Sequence, residues 1–496
     1  MTRGGAKKCA ARMVWFLAGL LAILSVFSAT GRAAEWWNPR WQYRKHVKVP
    51  KKGAECFRVR ILTGKRALPD GRDIRVIGPA GRPRPFRIAH STPGGEHLVV
   101  FEAAELSKEQ KEKLEGDPRA YTVYFGNANA ALPGDYDPQR GLTLETRAIP
   151  ENADVSDWQG ASATLERSEQ IYGKGFRSRI FGAYNPFGPQ KDYISIYRGY
   201  IHCPKDGEYH FAVLSEDASF LFIDEMPVAA WPGRGHHINS GRHGQHGGDL
   251  ALKAGPHRIR YVAFSFGRPK RCGVAWALPG AEKKPIREGG PLSYRYQIVP
   301  AKAFPGIPPA NVIRCEYIRS AVCADFSARP VAYLESGSAR MVAVRFESQS
   351  TVRGGTVHDY LWNFGDGLSS ARTGVTHVYL EPGTYDVKLA VRASNGETNR
   401  FTANLDIEPV WHDLDFRKPK KEQFWNLTKD YEVGRLPTEH LLAFQQFLRD
   451  ESKRGKLFET CTELDKRRDE LTPVQIHEVA MDLGKYYLDP LGEWKM

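Results

Sequence analysis

At 496 residues, with 47 glycines, 32 prolines and 41% hydrophobic residues, the chain has room for three or four turn-rich domains with ordinary cores. The formal charge is +14, but Arg3, Lys7, Lys8, Arg12 and Arg32 all stand in the first 33 residues, and the other basic residues are scattered. That scatter predicts no clustered patch and so sets nucleic-acid binding aside; weak attraction to acidic polysaccharide or an envelope surface is what the charge leaves.

The N-terminus supplies an address. Basic residues precede Met13–Ala29, an uncharged apolar run, and Gly31 and Ala33 are small residues at −3 and −1 of a cleavage point. Residues 1–33 therefore read as a secretory signal, and the protein as secreted, periplasmic or displayed at the cell surface. The run is long for a signal core and short for a spanning helix, so an uncleaved anchor is the alternative, and membrane association follows only from it. Cys9 precedes the run and is no lipoprotein cysteine. Cys56, Cys203, Cys272, Cys315, Cys323 and Cys461 remain, and an exported chain permits disulfides. Cys315 and Cys323 are near enough in sequence to bridge a short loop. Cys56 and Cys461 have no evident partner, and the absence of C-x-x-C spacing leaves structural zinc without support.

Residues 35–140 form the first module. Short β candidates run through His46–Val49, Arg58–Ile61, Ile74–Val76, His97–Phe101 and Tyr121–Phe125, with a charged helix at Ser107–Glu115. The sequence Trp36-Trp37…Trp41-x-Tyr43-Arg44-Lys45, then Asp70-Gly71-x-Asp73-Ile74-Arg75, then Tyr124-Phe125-Gly126-Asn127 resembles an uncharacterised domain family of secreted and envelope proteins. The resemblance implies a β-sandwich. Flat aromatics suit sugar faces, but Trp36, Trp37 and Trp41 are read here as packing residues.

Residues 141–285 form the second. Alternating strands are expected at Tyr200–Cys203, Glu208–Leu214, Ser219–Ile223, Gly248–Leu252, His257–Phe264 and Cys272–Trp276. Gly199, Ile201, Pro204, Gly207, Tyr209, Phe211, Asp217, Leu221, Ile223, Asp224, Gly255, His257 and Trp276 follow the pattern of the protective-antigen-type domain, which this module resembles. The resemblance implies a jelly-roll-like sandwich of exported proteins. Its topology implies that the first and last strands lie together, which motivates a Cys203–Cys272 bridge. Some glycan-binding members hold calcium with two consecutive aspartates; here that pair becomes Glu216-Asp217, the candidate calcium ligands. The loop Trp231–Asp249 carries His236, His237, His243 and His246 among glycines. Trp231, His236, His237 and His243 are the candidate ligand-binding residues; imidazole binding of Zn²⁺ or Cu²⁺ is the weaker alternative for the loop.

Residues 286–328 read as a linker with one strand near Tyr294–Val299. In 329–410, Tyr360, Trp362 and Phe364 alternate with Leu361 and Asn363, Gly365-Asp366-Gly367 makes a turn, and Val387, Leu389 and Val391 alternate again. With His377, Tyr379, Pro382, Gly383 and Tyr385 these residues resemble the polycystic-kidney-disease (PKD) family, which implies an immunoglobulin-like sandwich. Asp366 is read as a turn residue and His377 as a packed one. Residues 411–496 turn helical, with Thr438 an expected N-cap and Thr472-Pro473 the start of the last helix; Arg417–Lys421 is a solvated basic run.

The expected architecture is mainly β, tandem β-sandwiches of jelly-roll-like and immunoglobulin-like type followed by a small α-helical region. No nucleophile–base set, phosphate loop or metal-ligand cluster stands out. The expected function is an exported, non-catalytic, multidomain binder of polysaccharide, glycan or a surface component, with calcium its one candidate cofactor and a protein partner for the helical tail. The alternatives are an envelope scaffold and an accessory part of a carbohydrate-active enzyme.

Overall fold

The computed structural model describes residues 36–182, 184–236, 246–267, 271–285, 290–337, 339–407 and 421–488. The signal segment, His237, His243 and most of the basic run lie outside them. Residues 36–41 belong to one compact unit and those from Gln42 onward to another. Within the first, the Trp36 indole N–H donates to the Trp41 carbonyl (2.7 Å), and the rings of Trp37 and Trp41 meet at 5.2 Å.

From Gln42 onward the protein is mostly antiparallel β-sheet. In the first module the sheet Tyr43–Lys48, Ala120–Phe125, Arg75–Ile77 faces a second sheet of Cys56–Leu62, Glu96–Glu102 and Phe86–Ser91. Alternation does the sorting: Phe57, Val59, Ile61, Val99, Phe101 and Val123 all point into one core. Asp73 explains two of the sequence motifs at once. Its carboxylate accepts from the amides of Leu68 (3.0 Å) and Gly126 (2.7 Å), clamping the Asp70 turn to the end of the closing strand. Gly126 sits at φ +89°, and a Cβ there would meet the Tyr43 ring at 2.8 Å, so only glycine fits.

The linker is not merely a linker. Asn311–Tyr317 adds an edge strand to the first module's sheet, pairing Tyr43 with Tyr317 and Lys45 with Cys315. Gln297–Ile298 adds another to the second module. The strand expected near Tyr294–Val299 is the short piece Gln297–Ile298, and Asn311–Tyr317 is a further strand that serves a different sandwich.

The second module packs the sheet Met226–Arg234, Asp217–Ile223, Gly255–Ser265, Tyr193–Cys203, Leu142–Ala148, Ile171–Arg177 against a smaller one of Cys272–Ala277, Gly207–Ser215 and Gly247–Leu252. Tyr209, Phe211, Tyr261 and Trp276 fill the space between. The helix Trp158–Glu166, capped by Asp157 accepting from Gly160 N–H (2.8 Å), covers the outer face of the larger sheet through Trp158 on Phe222.

The PKD-like sandwich sets Phe326–Ser336, Ala339–Ser348 and Gly374–Tyr379 against Val357–Asn363, Thr384–Ala393 and Thr398–Asp406. Trp362 is fully buried, with Phe326 and Phe346 at 5.2 and 5.7 Å. Asp366 accepts from Leu368 N–H (3.1 Å) in its turn and also meets His377 Nε2 at 2.6 Å, both side chains buried. The helices do not hang free of this sandwich. One apolar cluster runs from Trp362 and Tyr379 to Phe444, Phe447 and Leu464, and the Tyr431 hydroxyl reaches Val378 N–H (2.7 Å) and His377 Nδ1 (3.1 Å). Helix Thr438–Asp450 begins after Pro437, and Thr438 bonds Glu470 instead of capping. Thr472 does cap: its hydroxyl accepts from Gln475 N–H (3.4 Å) and the Gln475 side chain accepts in return (2.8 Å). No helix of the described residues is long and apolar enough to cross a membrane.

Candidate functional site

The acidic loop of the second module does structural work. Asp217 is fully buried, and its two oxygens accept from Gly235 N–H (2.8 Å) and Phe266 N–H (2.9 Å), tying the ends of two neighbouring strands to its own. Both Asp217 oxygens thus face amide hydrogens, and Glu216 contributes its carbonyl to His236 N–H (2.7 Å). The open oxygen cage expected from Glu216-Asp217 is not what these residues build. Trp231 is likewise committed: it is 5% exposed and lies in the core, and the imidazoles of His236 and His246 stack on its indole at 4.6 and 4.0 Å. Burial, with His236 beside it, lowers the pKa of His246. An indole covered in this way offers no face to a sugar.

The cysteines divide. All six are buried free thiols. Cys315 and Cys323 lie side by side, their sulfurs 3.1 Å apart. Cys203 and Cys272 do not meet. Cys203 lies just ahead of the strand Gly207–Ser215, and Cys272 pairs with its last residue. A strand of 9 residues is roughly 25–30 Å long, which excludes a bridge.

Sequence reading also missed a donor set. Glu208, His210 and Asp249 bring one ligand-type atom each within 4.8 Å of the others. Glu208 and His210 share a face of one strand by their spacing of two, and Asp249 pairs opposite His210. His210 Nδ1 meets Asp249 at 2.7 Å, and Tyr294 stacks on the imidazole at 3.7 Å. One imidazole with two carboxylates suits a borderline divalent ion such as Zn²⁺.

A concentration of charge lies elsewhere, in a cleft of about 530 Å³ where the first module meets the second. Phe86–Ser91 contributes Arg87, the approach to Leu142 contributes Asp137 and Arg140, Tyr193–Cys203 contributes Arg198 and Tyr200, and Gly255–Ser265 contributes Arg258 and Arg260. Phe176 and Ile307, part of a small apolar cluster with Cys56 and Val100, lie beneath. Asp137 takes the Tyr200 hydroxyl, Arg258 (3.3 Å) and Arg87 (3.6 Å). Against its burial, the Tyr200 hydroxyl, the Gln139 amide and the two guanidinia hold this carboxyl below the usual range. Arg140 reaches Glu55 (3.0 Å) and Arg260 reaches Glu225 (3.4 Å).

Two features of the cleft run against stability. Arg198 and Arg260 stand directly opposite each other in the antiparallel register, where like charges weaken a sheet. The Nε atoms of Arg87, Arg140 and Arg260 are buried without a hydrogen-bond partner among the described residues. The expectation that no basic groove forms is thereby overturned. The local signal was Arg258-Ile259-Arg260, whose alternation puts both guanidinia on one face and Ile259 in the core. Arg87, Arg140 and Arg198 are too distant in sequence to be read with them.

Comparison with known proteins gives partial likenesses. The family model described as PKD domain matches residues 327–408. Collagenase ColA of Bacillus cereus is 47% identical over 66 residues, 13% of this chain; the chain spans only 7% of that protein's length. Among solved structures, the PKD1 domain of Vibrio anguillarum Epp is 27% identical, covering 18% of this chain and 95% of that one, with a TM-score of 0.15. A PA14 sugar-binding domain from an RTX adhesin is 15% identical, covering 34% and 98%, with a TM-score of 0.24.

Proposed function

We propose that this is an exported, non-catalytic, multidomain protein that binds carbohydrate, with the contact made where the first and second modules meet. The observation that carries this reading is the cleft itself. It is open and it is walled by guanidinia and Tyr200, planar donors and an aromatic ring of the kind that sugars engage. Its carboxylates argue against glycoside hydrolysis. Asp137 is held ionised by a hydroxyl and two arginines, and Glu225 is paired with Arg260, so neither is a poised general acid. The PKD-like sandwich and the helices packed on it serve as a rigid spacer.

A glycan array probed with the purified protein, with calcium and with chelator, tests this. Specific binding unchanged by chelator is the expected result. Absence of binding in both conditions defeats the reading and favours the scaffold alternative. For that alternative one observation speaks: Val474, Met481 and Leu488, seven residues apart on the last helix, are 68%, 49% and 84% exposed.

A further inference from the structure

We propose that the cleft between the first and second modules is a site for the anionic groups, carboxylate or sulfate, of an acidic glycan. The inference rests on the carbohydrate-binding reading and narrows it to a ligand class.

Charge balance comes first. Five arginines line the cleft against two carboxylates, Asp137 and Glu225. Even counting Glu55 at its edge, positive charge is left over. Arg198 is the clearest case: its side chain makes no hydrogen bond or ion pair among the described residues, and its neighbour across the register is another arginine, Arg260. A folded protein that needed only stability would not oppose two guanidinia in one sheet and leave a third and fourth, Arg87 and Arg140, with buried Nε atoms unmatched. An anion placed between the opposed guanidinia relieves their repulsion. Partial desolvation lowers the Arg198 pKa, Glu145 opposes it, and Arg147 and Arg260 lower it further.

Donor geometry selects the anion. Guanidinium is a planar fork that grips carboxylate and sulfate through paired N–H bonds. The arginines come from three strands and from the loop before Leu142, so guanidinia stand on more than one wall of the cleft. Tyr200, its hydroxyl bonded to Asp137, adds an aromatic ring to the wall beside them. A volume of about 530 Å³ holds a short oligosaccharide end and is within the usual range of about 300–1,000 Å³ for ligand sites. It is a local cleft, not the extended basic track that a nucleic-acid backbone follows.

The test is calorimetric titration of the purified full-length protein with four probes: a galacturonate oligomer, the same oligomer methyl-esterified, a sulfated galactan oligomer and single-stranded DNA. Binding of the galacturonate or the sulfated oligomer, with the ester about tenfold weaker or worse, is expected. Binding should weaken as salt rises. Arg198→Ala should cost about tenfold, and Arg87→Ala supplies a second variant on a different strand. The ratio between the two acidic oligomers tells carboxylate from sulfate. Equal affinity for acid and ester, or wild-type affinity in both variants, overturns the anionic assignment while carbohydrate binding stands. No binding to any oligomer here or on the array removes the carbohydrate reading as well. Arginine-dependent binding of DNA in preference to both acidic oligomers overturns the glycan assignment and makes the site a phosphate site.

Discussion

Two places in this molecule treat charge in opposite ways. Lys45, on the first module's sheet, meets Asp325, at the entry to the PKD-like sandwich, at 2.6 Å, and each side chain is 1% exposed. Here a cation and an anion meet out of reach of solvent, with Gln349 Oε1 also 3.5 Å from the ammonium, and the pair joins two sandwiches. In the arginine cleft, cations outnumber anions, two of them face each other across a register, and solvent has access. A desolvated ion is tolerable only with its partner, so the first arrangement is a structural device whose loss is costly. The second is a standing electrostatic deficit, whose members hold little of the fold together. Charge that is paired and shielded from solvent belongs to the fold; charge in excess of its partners and open to solvent is available to a ligand.

The sharpest way to break that comparison is to remove one half of the buried pair. Lys45→Met strands Asp325 and should cost about 3–5 kcal/mol, read by urea unfolding. Lys45→Met with Asp325→Leu should recover most of it. A double variant as unstable as the single one means that packing of the lysine stem, and not the uncompensated carboxylate, was the cause.

A second effect comes from acid. His97 is fully buried, its Nδ1 lies 2.8 Å from the Ser91 hydroxyl, and its Nε2 has no partner among the described residues. Burial lowers its pKa from 6.5 to about 4, against the pull of Asp70. Between those values the unfolded chain binds a proton that the folded one refuses, so stability is complete above pH 6.5 and is lost as pH falls towards 4. The loss attributable to this residue is up to about 3 kcal/mol. Tm followed across that window in wild type and His97→Gln should show a shallower fall in the variant; parallel curves would sink the assignment.

Asp217→Ala comes next. It deletes the acceptor of two amides and should cost about 2 kcal/mol, whereas chelator should leave the wild-type Tm unmoved. A chelator-induced drop of similar size would restore calcium to this loop.

Asp217 also shows where sequence reading stops. An aspartate at the head of an alternating strand reads the same whether its oxygens face an ion or two amides; the difference lies in Gly235 and Phe266, which no local pattern connects to it. Trp362 was legible because period-two alternation and burial are one signal, and the Asp73 motif because its partner Gly126 belonged to a second quoted motif. Asn311–Tyr317 was not, because a strand that completes a sheet begun at Tyr43 is defined by its register and not by its composition. The Cys203–Cys272 pairing failed for a similar reason: strands adjacent in a sandwich bring their cysteines together only if the ends match. The cleft is the extreme case, with arginines drawn from 87 to 260 into one depression.

The smallest expected effect sharpens the comparison most. Arg198→Ala removes an exposed guanidinium that makes no hydrogen bond or ion pair among the described residues and stands opposite Arg260. Its stability change should lie within about 0.5 kcal/mol, with any net shift toward greater stability, since relieving like charges directly opposite in a sheet is favourable. Urea unfolding beside Lys45→Met measures both ends of the scale in one experiment. A substantial loss in Arg198→Ala would mean that the guanidinium is part of the fold's own charge network, and the contrast between paired and available charge would fail at the residue chosen to represent it. A neutral or positive value leaves Arg198 with a cost and no structural return, and a residue kept under those terms is kept for what it binds.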